Sequence, residues 1–265
     1  MEVATRRDLA EEISDYWDGR AGSYSNGVVG ELEDDRRTMW TAELSRAVEA
    51  LGGAGRERPL RALDIGCGPG FFSALLTDAG CVVDAVDGSE EMLARACANV
   101  MGENPEARVT FHQGDFSDLP FTDGTFDLAV ARNVTWLMRE PEAIYAEWLR
   151  VLRPGGRLLV FDGNWYLYLY DPAIDAQRHA DQDNAVLEGW DDDAQATSDE
   201  ERWCEEIARN LPLSPVVRPE WDLDVLTKLG AASVSADKEA WKRLWTPNEQ
   251  SYYSSSPMFK VEAIK

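Results

Sequence analysis

The chain has 265 residues, long enough to bury one sizeable core, and 49 acidic against 26 basic side chains give it a formal net charge of −23. That balance argues against nucleic acid as a partner, because a phosphate-binding surface needs a basic face and no dense Lys/Arg block occurs. With no long apolar run, no apolar core near the N-terminus, no C-x-x-C spacing and only two histidines, the expectation is a cytoplasmic protein without a membrane span or metal site.

The first predicted element is a helix over residues 8–18, with Leu9, Ile13, Tyr16 and Trp17 on one side. Residues 18–24 contain two glycines and read as a loop. A second helix, about 30–51, carries Leu32, Met39, Trp40, Leu44, Val48 and Leu51 at helical spacing, and a glycine-rich linker over 52–59 follows.

Residues 60–65 read as a short buried strand ending beside Asp64. Gly66, Cys67, Gly68 and Gly70 come next, and a helix is expected over 71–79. A strand that turns through glycines into a helix is the nucleotide-binding unit of a doubly wound sheet. A dinucleotide fingerprint would place its third glycine at position 71, where the chain has Phe71. Asp64 is a poor neighbour for a pyrophosphate and a good one for an ammonium group, so a ligand with an amino acid end and an adenosine end fits better than NAD. The stretch from Leu63 to Gly70 resembles the first motif of the class I S-adenosylmethionine-dependent methyltransferases, with segments similar to those of ubiquinone and menaquinone methyltransferases. Within that family an N-terminal Tyr-Trp-Asp-x-Arg-Ala-x-x-Tyr segment folds over the cofactor. Tyr16, Arg20 and Tyr24 match it, although Tyr16 and Trp17 also suit plain helix packing.

A second strand, 82–86, ends at Asp87 and Gly88, about 20 residues beyond the glycines, where an acid can accept both ribose hydroxyls. Ser89 is placed to cap the next helix. The resemblance puts Asp87 on the ribose and Met92 against the adenine. After a third strand, 109–113, the segment Gly114-Asp115-Phe116 through Leu119-Pro120-Phe121 is similar to a further family motif. That likeness implies that Asp115 accepts from the adenine amino group and that Phe116 packs near the ring. His112 lies inside the strand and reads as structural. The fourth strand begins at Phe126 and exits at Arg132 and Asn133, which the resemblance sets beside the sulfonium and the substrate. Many relatives carry a histidine just before Trp136; this chain has Thr135, which removes one candidate base. A helix over 141–152, a turn over 152–157 and a fifth strand over 158–162 follow.

Beyond Asp162 the family pattern thins. Asn164, Trp165 and Tyr166 follow a strand end and, with Trp136, are candidates for a substrate wall, or for rings that fix a cap. Residues 171–219 are polar and acidic and read as a cap over the site, including the run from Trp190 to Asp193. A helix over 222–229 and strands over 232–236 and 257–265 close the chain. The expected fold is α/β, a Rossmann-like doubly wound seven-stranded sheet with an antiparallel last strand, a helical lid and a cap insertion after strand five. It is read as one domain, 1–265, divided into a lid (1–55), a cofactor-binding core (56–165), a cap (166–221) and the C-terminal part of the sheet (222–265).

The resemblance implies in-line methyl transfer from S-adenosylmethionine to a small-molecule nucleophile, by a monomer or homodimer. Whether oxygen, nitrogen, sulfur or carbon is methylated stays open. No base stands out; His179, Tyr166 and Tyr168 are the candidates. A non-catalytic S-adenosylmethionine-binding regulator remains as an alternative, and a nicotinamide-dependent oxidoreductase as a weaker one.

Overall fold

The computed structural model describes residues 8–53, 57–187 and 196–265. Its strands are β1 (Arg61–Ile65), β2 (Val82–Asp87), β3 (Val109–Gln113), β4 (Phe126–Arg132), β5 (Leu152–Asp162), β6 (Ser233–Asp237) and β7 (Phe259–Ile264). They form one sheet in the order β3-β2-β1-β4-β5-β7-β6. The first five run parallel, and β7 inserts antiparallel between β5 and β6. Strand order reverses between β1 and β4, and the carboxyl ends there are where such a sheet opens a crevice.

Both faces of the sheet are covered, which is why its central strands read as nearly continuous apolar runs. On one face α2 (Asp35–Ala50) and α3 (Phe71–Asp78) bring Trp40, Leu44, Phe71, Phe72 and Leu75 against Ala62, Val130 and Phe161. On the other, α5 (Pro141–Val151) and α8 (Glu220–Lys228) bring Ile144, Tyr145, Trp148 and Leu226 against Leu63, Ile65 and Ala129. Trp40 is a core residue, its ring 5.3 Å from Phe72 and 5.0 Å from Phe161.

Two expectations need correction. The loop expected over 18–24 is helical: α1 runs unbroken from Leu9 to Glu33. Glycine inside a helix costs about 1 kcal/mol relative to alanine. Tertiary packing outweighs that here, because Tyr16, Arg20, Ala21, Ser25, Val28 and Leu32 are all buried. The chain breaks instead at Asp34, whose side chain accepts from the Arg36 N–H at 2.8 Å and starts α2. The turn expected over 152–157 belongs to β5, as a bulge where the pairing register with β4 shifts between Phe126 and Leu128.

The region between β6 and β7, for which the sequence offered no element, holds α9 (Trp241–Leu244) and α10 (Pro247–Tyr252). The cap consists of α6 (Pro172–Leu187) and α7 (Ser198–Arg209); the run from Trp190 to Asp193 lies outside the described residues. Among the described residues no helix is long and apolar enough to cross a membrane, and no group of three or more His, Cys, Asp or Glu side chains is placed to hold a metal ion.

Candidate active site

Two cavities lie at the carboxyl ends of the parallel strands. The first, about 450 Å3, is floored by the turn after β1 and the ends of β2 to β4. Gly66 and Gly68 line it with φ of +63° and +51°, and a Cβ on Gly66 would stand 2.5 Å from Val134 Cγ2. Asp87 closes one side. Its Oδ2 accepts from the Gly68 N–H at 2.8 Å and its Oδ1 from the Ser89 N–H at 2.9 Å. Burial pushes this carboxyl upward, against the pull of those backbone donors. Gly88, Met92, Gly114, Asp115 and Phe116 continue the wall, and Arg132 and Asn133 complete it from the end of β4. Asn133 adopts φ +58°, a left-handed conformation that asparagine tolerates.

The N-terminal half of α1 roofs this cavity with Ile13, Ser14 and Trp17. Two contacts dock it. Ser14 Oγ donates to the Gly88 carbonyl at 3.3 Å, and Asp18 accepts from Ser89 Oγ at the start of α4 (Glu90–Glu103).

The second cavity, about 520 Å3, lies between α1, the cap and α10. Trp17, Tyr24, Trp136, Trp165, Tyr166 and Tyr168 are among its ten aromatic lining residues. Trp17, Tyr24, Arg132 and Asn133 line both cavities. Arg132 is clamped by Glu31 at 2.7 Å, and its guanidinium lies 5.0 Å from the Trp40 ring centroid and 4.5 Å from that of Phe71.

Several predicted site residues serve elsewhere. Asp64 lies beneath the glycine turn, where it accepts from Ser73 Oγ at 2.7 Å, and burial pushes its carboxyl up to about 7. Cys67 is buried, its thiol directed at the Gly68 carbonyl. Gly70 lies at φ +94° against α4, where a Cβ would meet Ala96 Cα at 3.2 Å; it lets α3 and α4 approach. Tyr16 and Arg20 face the aromatic cavity, and Arg20 pairs with Glu200 at 3.4 Å. Asn164 fixes the chain at Arg218, donating to its carbonyl at 3.1 Å and accepting from its N–H at 3.0 Å.

Of the three candidate bases, Tyr166 and Tyr168 line the second cavity and His179 lines neither. His179 is exposed on α6, outside the residues lining either cavity, with Nδ1 2.8 Å from the Asp175 carbonyl. The Tyr166 hydroxyl is 2.9 Å from Cys204 Sγ, and Tyr168 donates to Glu205 at 2.8 Å. Burial pushes both phenols further above their ordinary value, so they stay protonated. His112 is paired with Asp84 at 2.9 Å, away from both cavities.

The sequence reading missed Arg139, which pairs with Asp115 at the rim of the first cavity, and Trp245, Glu249, Tyr252 and Tyr253, which wall the second. A signal for the latter exists. Thr246-Pro-Asn-Glu249 is a capping box, and the structure forms it around α10.

A family model described as a methyltransferase domain matches residues 63–160. A demethylmenaquinone methyltransferase of Clavibacter sepedonicus is 37% identical over 164 residues, 58% of this chain and 60% of that protein. Methyltransferase GfsG of Streptomyces halstedii is 30% identical over 194 residues, covering 68% of this chain and 67% of the relative. The chain belongs to the class I S-adenosylmethionine-dependent methyltransferase family. It spans less than two thirds of the first of these relatives. The fold agrees: geranyl diphosphate C-methyltransferase of Streptomyces coelicolor A3(2) superposes with a TM-score of 0.60 at 16% identity, covering 98% of this chain and 99% of that one. S-adenosylmethionine is the cofactor of this family. The residues of the first cavity fit it, with a close-approach glycine turn and an acid at the neighbouring strand end.

Proposed function

We propose that the chain transfers the methyl group of S-adenosylmethionine to a small-molecule nucleophile, with the first cavity holding the cofactor and the aromatic cavity holding the acceptor. The observation that carries this reading is the shared wall. Trp17, Tyr24, Arg132 and Asn133 border both spaces, so a donor in one and an acceptor in the other are neighbours. In this reading Asp87 takes the ribose hydroxyls, Met92 packs on the adenine, and Asp115, oriented by Arg139, receives the adenine amino group. The transferred carbon already sits on a sulfonium, so the protein contributes alignment and exclusion of water. The roof helix supplies the second of these. Incubation of the protein with S-adenosylmethionine and a panel of amines, phenols, thiols and electron-rich alkenes tests the reading. Acceptor-dependent formation of S-adenosylhomocysteine supports it. Cofactor binding without turnover on any acceptor favours the non-catalytic regulator instead.

A further inference from the structure

The wall of the aromatic cavity combines ion pairs and ring faces in a way that selects among acceptor chemistries. Each of its four arginines is paired with a glutamate: Arg132 with Glu31 at 2.7 Å, Arg178 with Glu201 at 3.1 Å, Arg36 with Glu249 at 3.2 Å and Arg20 with Glu200 at 3.4 Å. Among the described residues no histidine, lysine or aspartate lines it. The Tyr166 and Tyr168 hydroxyls are engaged with Cys204 and Glu205. A carboxylate held by an arginine and a buried phenol are both poor proton acceptors at neutral pH.

Aromatic rings, in contrast, cluster where the two cavities meet. Trp17 and Tyr24 have centroids 5.4 Å apart, Trp17 and Trp136 6.5 Å, and Trp136 and Tyr166 4.6 Å. These four rings run from the shared wall into the aromatic cavity. The negative face of an indole or phenol ring attracts a nearby cation, the more so when water is excluded.

Building on the acceptor assignment above, we propose that the acceptor is an uncharged nucleophile that becomes a cation on methylation, a weakly basic amine that is unprotonated at neutral pH or an electron-rich alkene, and that the ring faces of Trp17, Tyr24, Trp136 and Tyr166 stabilise that cation. The acceptor's lone pair or π pair forms the bond to the methyl carbon as the carbon–sulfur bond breaks, and the electrons of that bond return to sulfur. Positive charge moves from sulfur to the acceptor. A tertiary amine keeps that charge as a quaternary ammonium, whereas a methylated secondary amine or alkene then loses a proton to water; in neither case does a protein base take part. A phenol, which must lose its proton to attack, is not served by this wall, and a carboxylate, which arrives as an anion and leaves as a neutral ester, gains nothing from the ring faces.

Binding of isosteric probes to the full chain saturated with S-adenosylhomocysteine tests this, with tryptophan fluorescence as the readout. Phenyltrimethylammonium and tert-butylbenzene share one shape and differ by one charge; benzoate supplies the opposite charge. The ammonium is expected to bind at least about fivefold more tightly than the hydrocarbon. Trp136→Leu should erase that preference, while Tyr166→Phe, which keeps a ring, should retain it. Equal or tighter binding of tert-butylbenzene or benzoate overturns the proposal whatever the variants do. Failure of S-adenosylhomocysteine itself to bind would strike the methyltransferase reading instead, so the two failures are distinguishable. With S-adenosylmethionine present, turnover of dimethylaniline-type amines assigns the amine, and turnover of α-methylstyrene-type alkenes assigns the alkene. Turnover confined to phenols or carboxylic acids overturns the proposal.

Discussion

Asp87 and Gly68 are held together by a hydrogen bond of 2.8 Å from the Gly68 N–H to Asp87 Oδ2, although they lie 19 residues apart on different strand ends. The acid at the end of β2 and the glycine turn after β1 are therefore one unit. The same carboxylate is the one assigned to the ribose.

Asp87→Ala should weaken S-adenosylmethionine binding by about 1–3 kcal/mol, through loss of charge-assisted hydrogen bonds and of the turn's anchor. Calorimetry reads this directly. An unchanged dissociation constant would remove Asp87 from the cofactor site.

Gly66 should not tolerate a side chain. At φ +63°, with a Cβ position 2.5 Å from Val134 Cγ2, Gly66→Ala meets both backbone strain and a clash. The expected loss is about 1–3 kcal/mol of stability in urea unfolding. Val134→Ala relieves the clash but not the strain, so the double variant should recover part of the loss. Strict additivity of the two substitutions would contradict the packing account.

Asp64 gives a pH dependence. Burial raises its folded carboxyl to about 7, above the roughly 4 of an unfolded aspartate. Folding thus favours the protonated form. Its contribution to stability is fully present below about pH 4 and lost as pH rises through about 7. Asp64→Asn removes that slope. Unfolding measured between about pH 5 and 8 should show the wild type losing more stability than the variant; parallel curves would contradict the shift.

Asp162 holds two walls of the aromatic cavity. It is fully buried at the end of β5. Its Oδ1 accepts from Trp165 Nε1 at 2.6 Å, and its Oδ2 accepts from the Thr135 N–H at 2.8 Å, at the start of the turn that carries Trp136. Arg218 Nη1 lies 3.8 Å from Oδ2, so Asp162→Ala also removes a neighbouring negative charge from a buried guanidinium. A loss of about 3–5 kcal/mol is expected in urea unfolding. A loss below about 1 kcal/mol would show that the network contributes little.

Much of the sheet and of the first cavity was legible because the relevant chemistry is local. Gly66, Gly68, Asp87 and Gly114 sit at strand exits that the sequence marks with short apolar runs and glycines. What was not legible depends on distance or rotation. Tyr16 and Trp17 are neighbours in sequence, yet Tyr16 lines only the aromatic cavity while Trp17 borders both, since adjacent helical residues point about 100° apart. Asn164 looked like a pocket residue, and only its contact with Arg218, 54 positions on, shows that it braces the fold. The continuity of α1 through Gly19 and Gly22 came from tertiary packing that local propensity does not encode.

The most direct test of the central claim is a calorimetric titration of the full chain with S-adenosylmethionine and S-adenosylhomocysteine, with NAD as the comparison. The account predicts saturable binding of the first two, weakened by Asp87→Ala, and none of NAD. Binding of NAD in their place, or of none of the three, would contradict it.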